Sequence, residues 1–136
     1  MGVIIISVID DDESVRVATV DLLNSAGLAC EAFRSAEAYL ESGRVPRTSC
    51  LILDVSMPGM NGLELQQRLA LTGLTIPIVF ITAFPTEATR ARAVAAGAAC
   101  FLPKPYANEE LLSCVQEALR SQRPDAASNN DREQKS

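Results

Sequence analysis

The sequence predicts an α/β fold built on a doubly wound sheet of five parallel strands, and three observations support that prediction. Short, nearly continuous apolar runs occur at residues 3–9, 50–53, 76–81 and 98–102, the pattern of strands covered on both faces in a parallel sheet. Helix-like segments separate them, so that strand and helix alternate five times along the chain, which implies right-handed crossovers. The central runs also end on polar residues. In such sheets the ligand site lies beyond the carboxyl ends of the strands, at a topological switch point.

The first run, 3–9, leads into Asp10-Asp11-Asp12-Glu13. Val15, Ala18, Leu22 and Ala26 then recur at spacings of three and four, with Gly27 placed to stop that helix. Residues 28–33 form a weaker strand pattern, suited to a sheet edge. The run 50–53 leads into Asp54 and is followed by a helical pattern over 63–71; the run 76–81 leads into Thr82 and a helix over 86–96, closed by Gly97. The last run, 98–102, leads toward Lys104, and Leu111, Val115, Ala118 and Leu119 form an apolar stripe on a helix over 108–120. Residues 121–136 contain no bulky apolar side chain, so a single domain over 1–120 followed by a linker or tail over 121–136 is expected.

Composition narrows the chemistry. The 136 residues suffice for one domain and leave no room for a second. Histidine is absent, which removes imidazole bases, imidazole metal ligands and the usual nucleophilic triads. Cys30, Cys50, Cys100 and Cys114 are too far apart for a C-x-x-C pattern and sit in apolar segments, so buried, reduced core thiols are expected. No apolar stretch approaches the roughly 20 residues of a membrane span or resembles a signal peptide, which suggests a cytoplasmic location. The formal charge of −5 offers no basic surface for nucleic acid.

Singly, the strand-end residues have ordinary explanations: Asp12 and Glu13 suit a helix start, Asp54 a turn, Thr82 a strand. Together they say more, because a doubly wound sheet brings the ends of its first and third strands together and so gathers Asp10, Asp11 and Asp54. Two carboxylates about 4 Å apart at an effective dielectric near 20 repel by about 4 kcal/mol, a large share of a small domain's stability. An all-oxygen acidic pocket suits a hard divalent cation, Mg²⁺ above all. With Lys104 and the Thr82 hydroxyl opposite, the set suits a phosphoryl group, with Asp54 as the attacking carboxylate.

Val-Ile-Asp-Asp-Asp-Glu at 8–13, Leu-Asp-Val-Ser-Met-Pro-Gly-Met-Asn-Gly at 53–62, Ile-Thr-Ala at 81–83 and Lys-Pro at 104–105 resemble the response-regulator receiver domain, with its flavodoxin-like, CheY-like (βα)5 fold. Ser-Val-Arg at 14–16 and Ser-Ala-Glu at 35–37 resemble its FixJ branch in particular. The resemblance spans residues 3–120 and implies strand order 2-1-3-4-5. It makes Asp54 the phosphoacceptor, with Asp11, Asp54 and the Ser56 carbonyl as Mg²⁺ ligands and Asp10 acting through a metal-bound water. Lys104, the Thr82 hydroxyl and the backbone N–H groups of Ser56 and Ala83 would hold the phosphoryl oxygens. Asp12 is outside the set.

By the same resemblance Phe101 is the switch aromatic, turning inward as Thr82 moves; a plain core residue is the other reading of that position. The Lys104–Pro105 bond is cis in the family, although only about 5–6% of X-Pro bonds are. The implied donor is a phosphohistidine on a sensor histidine kinase. The implied output is a change in the face of helix four, strand five and helix five, with a phosphorylation-dependent homodimer and DNA binding only through a domain outside this chain. Helix 86–96 suits such a contact and equally suits plain sheet cover. A haloacid-dehalogenase-type phosphatase is the alternative, since Asp10-x-Asp12-x-Ser14 would make Asp10 the nucleophile, but it leaves Asp54 without a role. A nucleotide-binding module ranks lower, because no glycine-rich phosphate loop follows the first strand.

Overall fold

The computed structural model describes residues 3–121. Along them run β1 (Ile5–Ile9), α1 (Glu13–Ser25), β2 (Ala29–Phe33), α2 (Ala36–Glu41), a 3-10 turn (Val45–Arg47), β3 (Cys50–Asp54), α3 (Gly62–Ala70), β4 (Ile78–Thr82), α4 (Glu87–Ala95), β5 (Cys100–Pro103) and α5 (Asn108–Ser121). The strands form one sheet in the order β2-β1-β3-β4-β5, every neighbouring pair parallel. The chain therefore steps outward from β1 in both directions, and the order reverses between β1 and β3. In register, Ile9 lies beside Leu53, Asp54 beside Ile81 and Thr82 beside Pro103. The polar residues that follow the strands thus emerge along one rim.

Strand alternation divides the core into two apolar layers. On one face Ile9, Leu51, Leu53 and Phe80 pack with Ala36 and Tyr39 of α2, Leu63, Leu65 and Leu69 of α3 and Ala93 of α4. On the other, Ile6, Val8, Ile52, Val79 and Ile81 pack with Leu23 of α1 and Leu111, Val115 and Ala118 of α5. Four helices start on side-chain caps: Asp12, Ser35, Asn61 and Thr86 each accept a backbone N–H from the first turn. Asn61 and Glu64 complete a reciprocal capping box. Gly27 ends α1 at φ +82°, where the Leu28 N–H reaches the Leu23 carbonyl and the Gly27 N–H that of Asn24.

Several details differ from the sequence expectation. β1 begins at Ile5, because Val3 and Ile4 remain exposed. β5 is an edge strand, so its residues are only half-buried although its two faces meet the two core layers. The core face of α1 is rotated from the predicted stripe: Thr19 and Leu23 are buried while Ala18 and Ala26 face outward. Thr19 takes a core position because its hydroxyl donates to the Val15 carbonyl at 2.8 Å and so needs no water. α2, which periodicity did not mark, is only six residues long and is held by buried Tyr39. The Tyr39 hydroxyl shares hydrogen bonds through Thr48 with Ser7 of β1, at 2.6 and 2.9 Å.

The expectation of four reduced core thiols is corrected as well. Cys50 is a buried thiol and Cys30 a half-buried one, but Cys100 and Cys114 are joined in a disulfide. Sequence spacing hid the pair, because the contact arises only when the last helix packs back on the last strand. Of the predicted linker, Ser121 closes α5, and residues 122–136 lie outside the described residues.

Gly62 opens α3 where the helix crosses the end of β3, its N–H donating to the Val55 carbonyl at 2.9 Å. A Cβ there would lie 2.5 Å from the Asp54 carbonyl oxygen and 3.0 Å from the Val55 Cα. Backbone on both sides cannot yield as a flexible side chain would. Gly62→Ala is expected to lower stability by about 1–3 kcal/mol, read as a lower urea midpoint at unchanged slope.

Candidate functional site

The rim beyond β1 and β3 gathers the acidic residues. One carboxylate oxygen from each of Asp10, Asp11 and Asp54 lies within 4.8 Å of the others, with Asp10 and Asp54 buried and Asp11 exposed. Asp54 is the last residue of β3, and Asp10 directly follows β1. The strand order makes these neighbours in space. Asp12 is outside the cluster: its carboxylate caps α1 through the Ser14 hydroxyl at 2.7 Å and the Ser14 N–H at 3.0 Å, and the Ser14 hydroxyl first, then the Val15 and Ser14 N–H groups, hold it below the usual carboxylate range.

Lys104 reaches in from the far side of the crevice. Its Nζ lies 3.3 Å from Asp10 Oδ2 and 3.7 Å from Asp54 Oδ2, and its backbone N–H donates to the Thr82 carbonyl at 2.7 Å. The Lys104–Pro105 peptide bond is cis. Partial burial disfavours the ammonium, but Asp54 and Asp10 outweigh it and shift the pKa of Lys104 upward.

Asp54 is shifted furthest among these groups, up to about 7, first by burial and then by the charge of Asp10. Lys104 and the Ser56 N–H, which donates to Asp54 Oδ1 at 3.2 Å, pull the other way without cancelling that shift. Asp10 Oδ1 accepts the Asp12 N–H at 3.0 Å while Oδ2 faces Lys104.

The other predicted residues lie on β4, β5 and the loops after β3 and β4. Thr82 ends β4 fully buried, and its Oγ1 accepts the Phe84 N–H at 3.0 Å. Ser56 and Ala83 are exposed on the loops after β3 and β4, so the mouth of the crevice is open. Phe101 sits on β5, half-buried, its ring 6.4 Å from that of Phe80. Oxygen donors alone, with neither thiol nor imidazole among them, fit a hard divalent cation.

Two residues of this region were given no role from the sequence. Arg16 donates from Nη1 to the Asp10 carbonyl at 2.9 Å, fixing the turn that aims the acidic pair. Glu37 accepts the Met60 N–H at 2.9 Å and ties α2 to the loop that follows Asp54. Both lie in tripeptides that stood out by resemblance, Ser-Val-Arg and Ser-Ala-Glu, but no spacing pattern links either residue to its backbone partner. The phosphatase alternative finds no support: the Asp12 carboxylate and the Ser14 hydroxyl are engaged with each other in capping α1.

Comparisons with known proteins agree with this geometry. Residues 6–116 match the response regulator receiver domain family. The transcriptional regulatory protein TdiR of Thauera aromatica is 40% identical over 93% of this chain and 56% of its own length. The transcriptional regulatory protein FixJ of Azorhizobium caulinodans is 36% identical over 84% of this chain and 54% of its own. The solved structure of the response regulator StyR superposes with a TM-score of 0.79 at 42% identity, covering 94% of this chain and 66% of that one. The chain thus spans about half the length of the curated relatives it matches. With the sheet order, the acidic crevice and these matches in agreement, the chain belongs to the response regulator receiver domain family, with FixJ-type transcriptional regulators among its relatives.

Proposed function

We propose that Asp54 accepts a phosphoryl group from a phosphohistidine of a sensor histidine kinase. The observation that supports this most directly is the convergence of Asp10, Asp11 and Asp54 opposite Lys104. An Asp54 oxygen attacks phosphorus in line as the P–N bond of the donor breaks and the imidazole departs. The Lys104 ammonium, the Thr82 hydroxyl and the N–H groups of Ser56 and Ala83 hold the equatorial oxygens. Lys104 already spans the two buried carboxylates, so it meets the incoming charge with little rearrangement.

Asp10, Asp11, Asp54 and the Ser56 carbonyl are the residues that would hold Mg²⁺, whose charge when bound would offset that of the carboxylates and of the transferring group. Transfer is read out when the Thr82 hydroxyl turns toward the new phosphoryl oxygens and Phe101 moves into the space vacated. Phe101 lacks a hydroxyl, so this is a packing change. The face of α4, β5 and α5 then pairs with a second copy, and exposed Phe84 and Val94, 73% and 55% accessible, offer apolar area for it. In the whole protein a further domain, joined through residues 122–136 as a linker, binds DNA. Among the described residues no helix is long and apolar enough to cross a membrane, and we place the protein in the cytoplasm with its kinase's transmitter.

Incubation with a small acyl phosphate and Mg²⁺ is expected to add one phosphoryl group to the wild type, by intact mass, and none to Asp54→Asn. A phospho-aspartate that still forms on Asp54→Asn would overturn the assignment. The pH dependence of the metal-free protein is a second check. Asp54 has a pKa of about 7 in the folded chain against an ordinary 3.8, so between those values the folded state binds the extra proton. Stability should therefore fall as pH rises through that window. Asp54→Asn should flatten the slope in chemical denaturation, and an unchanged slope would count against a buried, destabilised carboxylate at position 54.

A further inference from the structure

Cys100 and Cys114 lie on different elements, one on β5 and one on α5, 14 residues apart in sequence and 6.1 Å apart between Cα atoms. That separation falls within the range a disulfide spans. Alternation along β5 turns Cys100 and Leu102 toward the layer under α5, while Phe101 goes to the opposite face. On α5, Cys114 falls three residues after Leu111 and four before Ala118, on the apolar stripe that meets the sheet. The packing of the last helix on the last strand brings these two sulfurs within reach of each other.

The other two cysteines are placed differently. Cys50 is buried in a central strand, and burial pushes its thiol up to about 12. Cys30 sits on the opposite edge of the sheet, its Sγ directed at the Val20 carbonyl and Asn24 Oδ1 at 3.9 and 3.6 Å, with its thiol also raised by burial. Cys100 and Cys114 are both half-buried, open to a small oxidant or a reducing thiol. In a reducing compartment such a pair rests as thiols, and a disulfide formed there is usually transient and redox-sensing.

We propose that Cys100 and Cys114 form a reversible redox modification site: a peroxide oxidises the pair to a disulfide that latches α5 to β5, and a cellular dithiol opens it again. One thiolate attacks a peroxide oxygen and becomes a sulfenic acid as the O–O bond breaks; the second thiol then displaces water to form the S–S bond. In sum, two thiols and one hydrogen peroxide give one disulfide and two waters. The return step takes two electrons and two protons from the dithiol. The latch spans the strand that carries Phe101 and leads to Lys104, so oxidation stiffens the outer face of the domain. Its formation does not depend on phosphoryl acceptance at Asp54.

The test starts from the full chain reduced with dithiothreitol and then treated with hydrogen peroxide. Two of the four thiols should disappear, peptide mapping should place the new bond between residues 100 and 114, and dithiothreitol should restore both. Closing this loop should raise the thermal midpoint of the oxidised wild type by roughly 10 °C over the reduced form. Cys100→Ser and Cys114→Ser should show neither the bond nor the shift. The comparison of oxidised with reduced wild type stands even if a variant folds poorly. Oxidation at Cys30 instead, sulfinic acid at either position, cross-linked chains, or a bond that dithiothreitol cannot open in the folded protein would each overturn the proposal.

Discussion

The crevice depends on one arrangement: a single ammonium, that of Lys104, held between two carboxylates that the sheet has taken out of water. Asp10 and Asp54 are buried at adjacent strand ends, where two negative charges repel far more than they would in solvent. Lys104, at 3.3 and 3.7 Å, offsets that repulsion only in part, and burial first, then the charge of Asp10, leaves Asp54 shifted upward. Removing one partner of a buried ion pair commonly costs about 3–5 kcal/mol, so the lysine supports the fold.

The aim of the crevice comes from backbone contacts around it. Arg16 grips the Asp10 carbonyl, the Asp12 N–H occupies Asp10 Oδ1, and the Ser56 N–H occupies Asp54 Oδ1. Glu37 fastens the far end of the loop after Asp54 through the Met60 N–H, and Gly62 lets α3 start against the Asp54 carbonyl with no side chain between. These contacts fix two loops, the one after β1 and the one after β3.

Much of this was legible in the sequence, for a physical reason. Strands buried on both faces leave continuous apolar runs, and at the ends of those runs Asp10, Asp54 and Thr82 stand out because little else there is polar. What escaped was set by contacts between distant segments or by groups that satisfy themselves locally. Thr19 entered the core by bonding its own helix, and α2 was too short to display a period. The partners of Arg16 and Glu37 are backbone atoms, which no residue pattern records. The Cys100–Cys114 bond joins positions that only the packed helix brings together.

Because every crossover returns in the same sense, the fold separates its two rims completely. The acidic cluster, Thr82 and Lys104 all lie at the carboxyl ends of the strands, while the connections at 26–28, 71–77 and 96–99 turn at the opposite end. None of the residues assigned to phosphoryl chemistry lies in those connections. Leu71, among the most exposed apolar side chains of the described region, is on one of them. A fluorophore or short insertion placed over 71–77 would sit a full strand length from the acidic crevice, which makes that stretch the natural handle for watching the domain without disturbing it.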